Sequence, residues 1–209
     1  MKAAFAWFSI CVFLIACCSA QQASRTEIFG GYSLEHISAC GAPGDTFLTC
    51  SQFIETGTSK PANYNGWEAS LKVPVYKFVA VTADLSGHYG TTVIQGNGLP
   101  SASVSRVSYM FGPTASLRKE RFALFAHALF GGMTNKFGTF GSGEDTATVP
   151  TYTVFASALG GGVDLNMVSR WAVRIGQFDF ERVGVPSAGP GSYPGVNGFR
   201  FASGIVFKP

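Results

Sequence analysis

The side chains in this sequence that could do chemistry are few and widely spaced. There are three histidines, His36, His88 and His127, and five cysteines. His127 lies in RFALFAHALFGG, Arg121 to Gly132, an apolar run with strand spacing that ends in two glycines. It is a general base, a metal ligand, or a polar group satisfied inside something hollow. A base must sit within hydrogen-bond reach of the proton it takes. Asp84 and His88 share one strand face in YKFVAVTADLSGHY, Tyr76 to Tyr89, but stand about 13 Å apart by strand rise. That is too far to pair. The serines have no positioned base, and GHYG is not a nucleophile elbow. Three histidines on separate segments give no metal-ligand spacing. GSGEDT and LGGGVD lack both the Lys-Ser/Thr and the strand-to-helix setting of a phosphate loop. A glycine triplet inside a strand instead lets backbones approach or lets a wall curve. Neither a catalytic site nor a cofactor is implied.

The elements that must position these residues alternate with a period of two. NGWEASLKV, Asn65 to Val73, sets Trp67, Ala69, Leu71 and Val73 against Gly66, Glu68, Ser70 and Lys72. A helix would scatter these residues; a strand sorts them. The same pattern predicts strands over Thr26–Leu34, Tyr76–Tyr89, Ser103 to about Ala115, Arg121–Gly132, Thr151–Leu165, Arg170–Arg182 and Asn197–Phe207. Tight turns are expected at Pro74-Val75, Leu117–Glu120 and Asn166–Ser169. The other connections are long and rich in Gly, Ser, Thr and Pro. Long and short connections alternate, so an antiparallel meander would send every long loop to one end.

Even strand number and this rhythm describe an eight-stranded antiparallel up-and-down transmembrane β-barrel, with short periplasmic turns and long extracellular loops. Most segments have the 9 to 11 residues that a tilted strand needs to cross a membrane. Periodicity alone does not say which face is outside, and a soluble calyx would put the apolar face inward. The few charges, of mixed sign and spread over several strands, suit a narrow interior better than a water-facing surface. Glu27, Glu68, Asp84, Arg106, His127, Asp164, Arg174 and Arg200 are therefore expected to form a lumen network. His127, on the face of Ala123, Phe125 and Leu129, would meet Asp84, Arg106 or Asp164. Alanines and glycines on the charged face would make room for the long arginines. Strand seven resists: with Arg174 inside, Gln177 and Asp179 fall on the lipid face, so either they lie above the membrane or a bulge reverses the phase. Tyr32, Trp67, Tyr89 and Trp171 are candidates for the two membrane interfaces.

The first twenty residues, with Lys2 ahead of an apolar run and small residues at the end, read as an export signal cleaved after Ala20. Leu14-Ile15-Ala16-Cys17 also resembles a lipoprotein signal with Cys17 lipidated. Residues 21–209 would then be one barrel domain. Cys40 and Cys50, in the first long loop of an exported protein, are read as a disulfide. Losing Lys2 leaves 14 basic and 12 acidic residues with no basic stripe, so nucleic acid is a poor partner. Nineteen phenylalanines are many for a soluble domain of this size, and lipid would accommodate them.

Several segments, taken in order, carry a resemblance. They are IFGGYS at Ile28–Ser33, NGW at Asn65–Trp67, ADLSGHYG at Ala83–Gly90 and YMFGP at Tyr109–Pro113. FAHALFGG at Phe125–Gly132, ALGGGVDL at Ala158–Leu165, RIGQFDF at Arg174–Phe180 and SGIVF at Ser203–Phe207 follow. The whole mature chain resembles the small OmpA-like outer-membrane β-barrel proteins of the Acidobacteria type. The resemblance implies insertion by the outer-membrane assembly machinery, contact with outer-membrane lipid and lipopolysaccharide, and no agreed activity. The chain stops at the eighth strand, so no peptidoglycan-binding domain is expected. The terminal aromatic that aids assembly is displaced, Phe207 being followed by Lys208-Pro209. A plugged lumen and a structural or surface-interaction role follow, with an extracellular ligand met through the loops. A narrow pore, a soluble calyx and self-association are the alternatives.

Overall fold

A computed structural model describes residues 25–37, 62–92, 102–138, 151–184 and 196–209. These form eight strands: β1 (Glu27–Ile37), β2 (Ala62–Tyr76), β3 (Val79–Thr92), β4 (Ala102–Lys119), β5 (Phe122–Phe137), β6 (Tyr152–Val168), β7 (Trp171–Val183) and β8 (Val196–Phe207). Each pairs antiparallel with its sequence neighbours, and β1 pairs with β8 from Ile28↔Phe207 to Ile37↔Gly198, closing the barrel. Closure removes the open edges that an apolar sheet would otherwise expose.

The strands sort their side chains by parity. Outside, β2 presents Trp67, Leu71 and Val73, β5 presents Phe122, Leu124 and Phe130, and β7 presents Phe178 and Phe180. Inside lie Glu27, Glu68, Asp84, Asp164, Arg174 and Arg200, each no more than 5% exposed. A calyx requires the reverse. The outward apolar belt begins beside the short turns, at Val75, Tyr76, Phe122, Met167 and Trp171. Toward the opposite end, outward positions turn polar: Asn63, Asn65, Thr91, Ser103, Lys136, Thr153, Arg182 and Asn197 are all exposed. The strands are thus longer than the belt, and they outrun it on the side of the long connections.

Several boundaries differ from the sequence reading. Pro74-Val75 is not a turn: β2 continues to Tyr76, with an irregular register between Pro74 and Tyr76, and the turn is Lys77-Phe78. Proline lacks an N–H and is tolerated where the ladder is already irregular. The second turn is Glu120-Arg121 rather than Leu117–Glu120, and the third is Ser169-Arg170 rather than Asn166–Ser169. Lys77 and Glu120 take positive φ, at 26° and 50°, which lets two residues reverse the chain. β1 and β5 also run past their predicted ends at Leu34 and Gly132, since pairing with a neighbour carries a strand through polar residues that pattern alone assigns to loop.

Strand seven carries a bulge. On the β6 side Arg174 pairs with Asp164 and Gly176 with Val163, leaving Ile175 unmatched. On the β8 side Arg174 pairs with Gly204 and Gln177 with Ala202. The extra residue shifts the phase, so that Arg174, Gln177, Asp179 and Glu181 all face inward. The Ser203 hydroxyl donates to the carbonyl of Arg174 at 3.0 Å, satisfying an acceptor at the disturbed ladder.

Candidate functional site in the barrel lumen

The lumen is filled by side chains that the pleat aims inward from all eight strands. Its central member is Arg200 on β8, 1% exposed. Its guanidinium reaches Asp84 at 2.9 Å, Asp179 at 2.7 Å, Glu68 at 3.3 Å and Glu181 at 3.4 Å. It also donates to the Ser86 hydroxyl at 3.1 Å. One cation is thus shared by four carboxylates from three strands. Neither Glu181 oxygen nor Glu68 Oε2 has a hydrogen-bond donor within the described residues.

Arg174 forms a second crosspiece. It donates to Asp164 at 2.8 Å and to the Gln177 amide oxygen at 2.6 Å. Its guanidinium lies between two rings, 4.1 Å from the centroid of Phe29 and 4.3 Å from that of Phe125. Desolvated cation–ring contacts of this kind add to the ion pair. Gln177 passes the network on, donating to Glu68 at 2.9 Å and Asp179 at 2.7 Å. A cavity of about 10 Å³, room for roughly one water, lies among Ser70, Lys72, Thr82, Asp84, Thr114, Phe125, His127, Arg174 and Gln177.

His127 pairs with Asp179, Nε2 to Oδ1 at 2.7 Å. This corrects the expectation of Asp84, Arg106 or Asp164. His127, Gly160 and Asp179 occupy one row across β5, β6 and β7, and the pair closes over Gly160. A Cβ at Gly160 would collide with the Asp179 carboxylate and the Phe178 carbonyl, while one at Gly162 would meet the Phe125 ring at 2.8 Å. Gly160 and Gly162 therefore make room for the Asp179 carboxylate and the Phe125 ring, and the nearest atoms at neither belong to an arginine. Gly160→Ala is expected to destabilise the folded barrel by about 1–3 kcal/mol, read as a lower denaturation midpoint. Gly30→Ala is the control: it points outward with nothing within 4 Å, and should leave the midpoint unchanged.

Near each end lies a further group. Toward the short turns, Glu27 meets Lys72 and Arg118, with Lys208 at 3.7 Å. Lys208 also binds the Asn166 side chain. Burial pulls its amine below the usual range, against the attraction of Glu27. Toward the long connections, Arg106 reaches Glu35 at 3.1 Å and the Met133 sulfur at 2.8 Å. His88 sits 2.9 Å from the Ser33 hydroxyl and 3.7 Å from Glu35. Beside them the interior is not polar throughout: Met110, Leu129, Met133, Ala156, Ala158 and Val183 pack as an apolar wall on β4 to β7.

The structure brings Glu68, Asp84 and Arg200 together, joins Arg174 to Asp164, and places Glu27 and Arg106 in separate groups. Sequence reasoning missed Glu35, Lys72, His88, Arg118, Gln177, Asp179, Glu181 and Lys208. Lys72 and His88 were legible from their parity with Glu68 and Asp84. Cys40 and Cys50 lie outside the described residues. Among the described residues no three His, Cys, Asp or Glu side chains converge as metal ligands.

No family model matches the chain, and no curated protein does. Solved structures do. Ail, the attachment invasion locus protein of Yersinia pestis, superposes with a TM-score of 0.57 at 13% identity, over 90% of this chain and 100% of its own. Neisserial surface protein A gives 0.54 at 9% identity, over 90% and 100%. OprG from Pseudomonas aeruginosa gives 0.54 at 12%, over 91% and 98%. The fold is that of the small outer-membrane barrels. At these identities the likeness speaks for architecture alone. Ail has also been solved with the heparin analogue sucrose octasulfate.

Proposed function

We propose that this chain is an outer-membrane protein of the small OmpA-like, Acidobacteria type, with a plugged lumen, no catalytic activity, and surface contacts made by its long connections. The observation that carries the reading is the segregation of side chains: an apolar exterior around an interior crossed by Arg200 and Arg174. Eight strands enclose only enough width for side chains to fill. The order of the quoted motifs favours the Acidobacteria type. Residues 1–20 serve as the export signal in this reading, with lipidation at Cys17 as its rival, and residues 21–209 form the barrel. Cys40 and Cys50 pin the first long connection as a disulfide. Lipid, lipopolysaccharide and the outer-membrane assembly machinery are the partners such a protein meets. Ail in complex with a heparin analogue is a precedent for a ligand on this fold, and we place an extracellular ligand of this chain at its long connections.

Two measurements test this. The protein should fractionate with the outer membrane of a Gram-negative host, leave it only in detergent, and migrate differently on gels before and after boiling. Soluble protein with no shift would overturn the membrane assignment. In planar bilayers the folded protein is expected to give no steady conductance. Arg174→Ala, which empties the space between Phe29 and Phe125, should admit small-ion steps. Steady conductance in the unmodified protein would replace the plugged reading with a narrow pore.

A further inference from the structure

We propose that the short-turn end of the barrel is a binding rim for the headgroups of anionic phospholipids. The inference rests on the membrane-spanning reading above. The three turns and their flanks expose Lys77, Lys119, Arg121 and Arg170, against one exposed acid, Glu120. Each turn sets an exposed aromatic beside its cation: Tyr76 before Lys77, Phe122 after Arg121 and Trp171 after Arg170. The Lys77 amine lies 5.5 Å from the centre of the Tyr76 ring. An aromatic next to a cation suits the boundary between hydrocarbon and headgroup, where a ring can be half buried and a charge can meet phosphate.

Three further facts select a lipid leaflet over another anionic partner. The outward apolar belt runs up to these turns, so their cations lie at headgroup depth rather than projecting beyond it. The turns join β2 to β3, β4 to β5 and β6 to β7, which spreads the charges around the circumference. A docked protein or glycan would meet one side of that ring; a leaflet surrounds it. The interior cannot neutralise the rim, because Glu27 is already met by Lys72, Arg118 and Lys208. The ring is also held in place. Ser116 donates its N–H to the Phe78 carbonyl at 2.8 Å, Asn166 to Arg121 at 2.7 Å and Lys208 to Arg170 at 2.8 Å, so the first two turns are tied to β4 and β6 and the third to the residue just after β8.

Trp171 provides the test. Of the three tryptophans, Trp7 lies in the export signal of that reading, so Trp67→Phe leaves Trp171 as the reporter in residues 21–209. Residues 21–209 are folded into phosphatidylcholine vesicles containing a minor share of brominated phosphatidylglycerol or, in parallel, of brominated phosphatidylcholine. The expected result is several-fold stronger quenching by the brominated anionic lipid, lost at high salt. In K77Q/K119Q/R121Q/R170Q the two lipids should quench equally. Equal quenching in the parent protein, or a preference that survives salt and the four substitutions, overturns the proposal alone. No quenching by either lipid overturns it together with the membrane-spanning reading.

Discussion

Arg200→Met is expected to cost the folded barrel about 3–5 kcal/mol, the range for removing one partner of a buried ion pair. Methionine keeps much of the volume and can lie along the same path. The loss is therefore chiefly electrostatic. Glu68, Asp84, Asp179 and Glu181 converge on this guanidinium, and without it they face one another in a space that holds little water. His127 still meets Asp179, and Gln177 still donates to Glu68 and Asp179. Neither supplies a charge to Asp84 or Glu181. The measurement is denaturant unfolding of the reconstituted protein, followed by tryptophan fluorescence and by the gel shift. Adding Glu68→Gln and Glu181→Gln to Arg200→Met should recover much of the loss, because it removes repulsion rather than restoring a contact. If Arg200→Met unfolds with the parent, Arg200 does not hold the lumen together. If the triple variant is no better than the single one, packing rather than charge explains the loss.

The architecture was legible because a barrel writes its two faces into the sequence at a fixed period. Trp67 to Val73 alternate without interruption, and the short turns interrupt that alternation at regular intervals. The inward charges could be read by parity for the same reason. Partners could not. Which groups meet depends on how strands are staggered around a closed circle, and stagger leaves no periodic trace. His127 reaches Asp179 because Gly160 lies between them in the register, a relation among three strands that no single strand encodes. Glu35 and Arg118 were lost to strand ends: both lie beyond the apolar stretch that marks their strands, in polar sequence that a barrel still holds as ladder. Asp179 and Glu181 were lost to the bulge. Their sequence posed a clear conflict: with Arg174 set inside, strict alternation puts Gln177, Asp179 and Glu181 on the lipid face and Phe178 and Phe180 in the lumen. Parity offered two ways out, and only pairing on both sides of β7 chooses between them.

The bulge supports a prediction that runs against the usual view of deletions in strands. Deleting Ile175 is expected to leave a folded barrel. With it gone, Arg174, Gly176 and Gln177 would oppose Asp164, Val163 and Gly162 on one side, and Gly204, Ser203 and Ala202 on the other. Those are the partners they now have, or the one β8 residue left over, so the ladder becomes continuous. Arg174 and Gln177 are then two positions apart and both still point inward. The cost is the packing of one outward isoleucine and the Ser203 bond to Arg174, on the order of 1–2 kcal/mol in all. Deleting Phe180 instead allows no good register. If the bulge is kept, Glu181 turns to lipid and Arg182 enters the lumen. If the bulge closes, Glu181 stays inside but Gln177 and Asp179 turn outward. Asp179 then deserts both Arg200 and His127, while Phe178 is driven into the charged interior. Either outcome combines an acidic group in hydrocarbon with a broken buried network, and no folded, heat-shifted band is expected. The deletion of Ile175 should give that band and unfold only slightly earlier than the parent. If the two deletions fail alike, the extra residue is required for strand curvature rather than being a phase correction. If both fold, the register of strand seven does not decide which side chains the lumen holds.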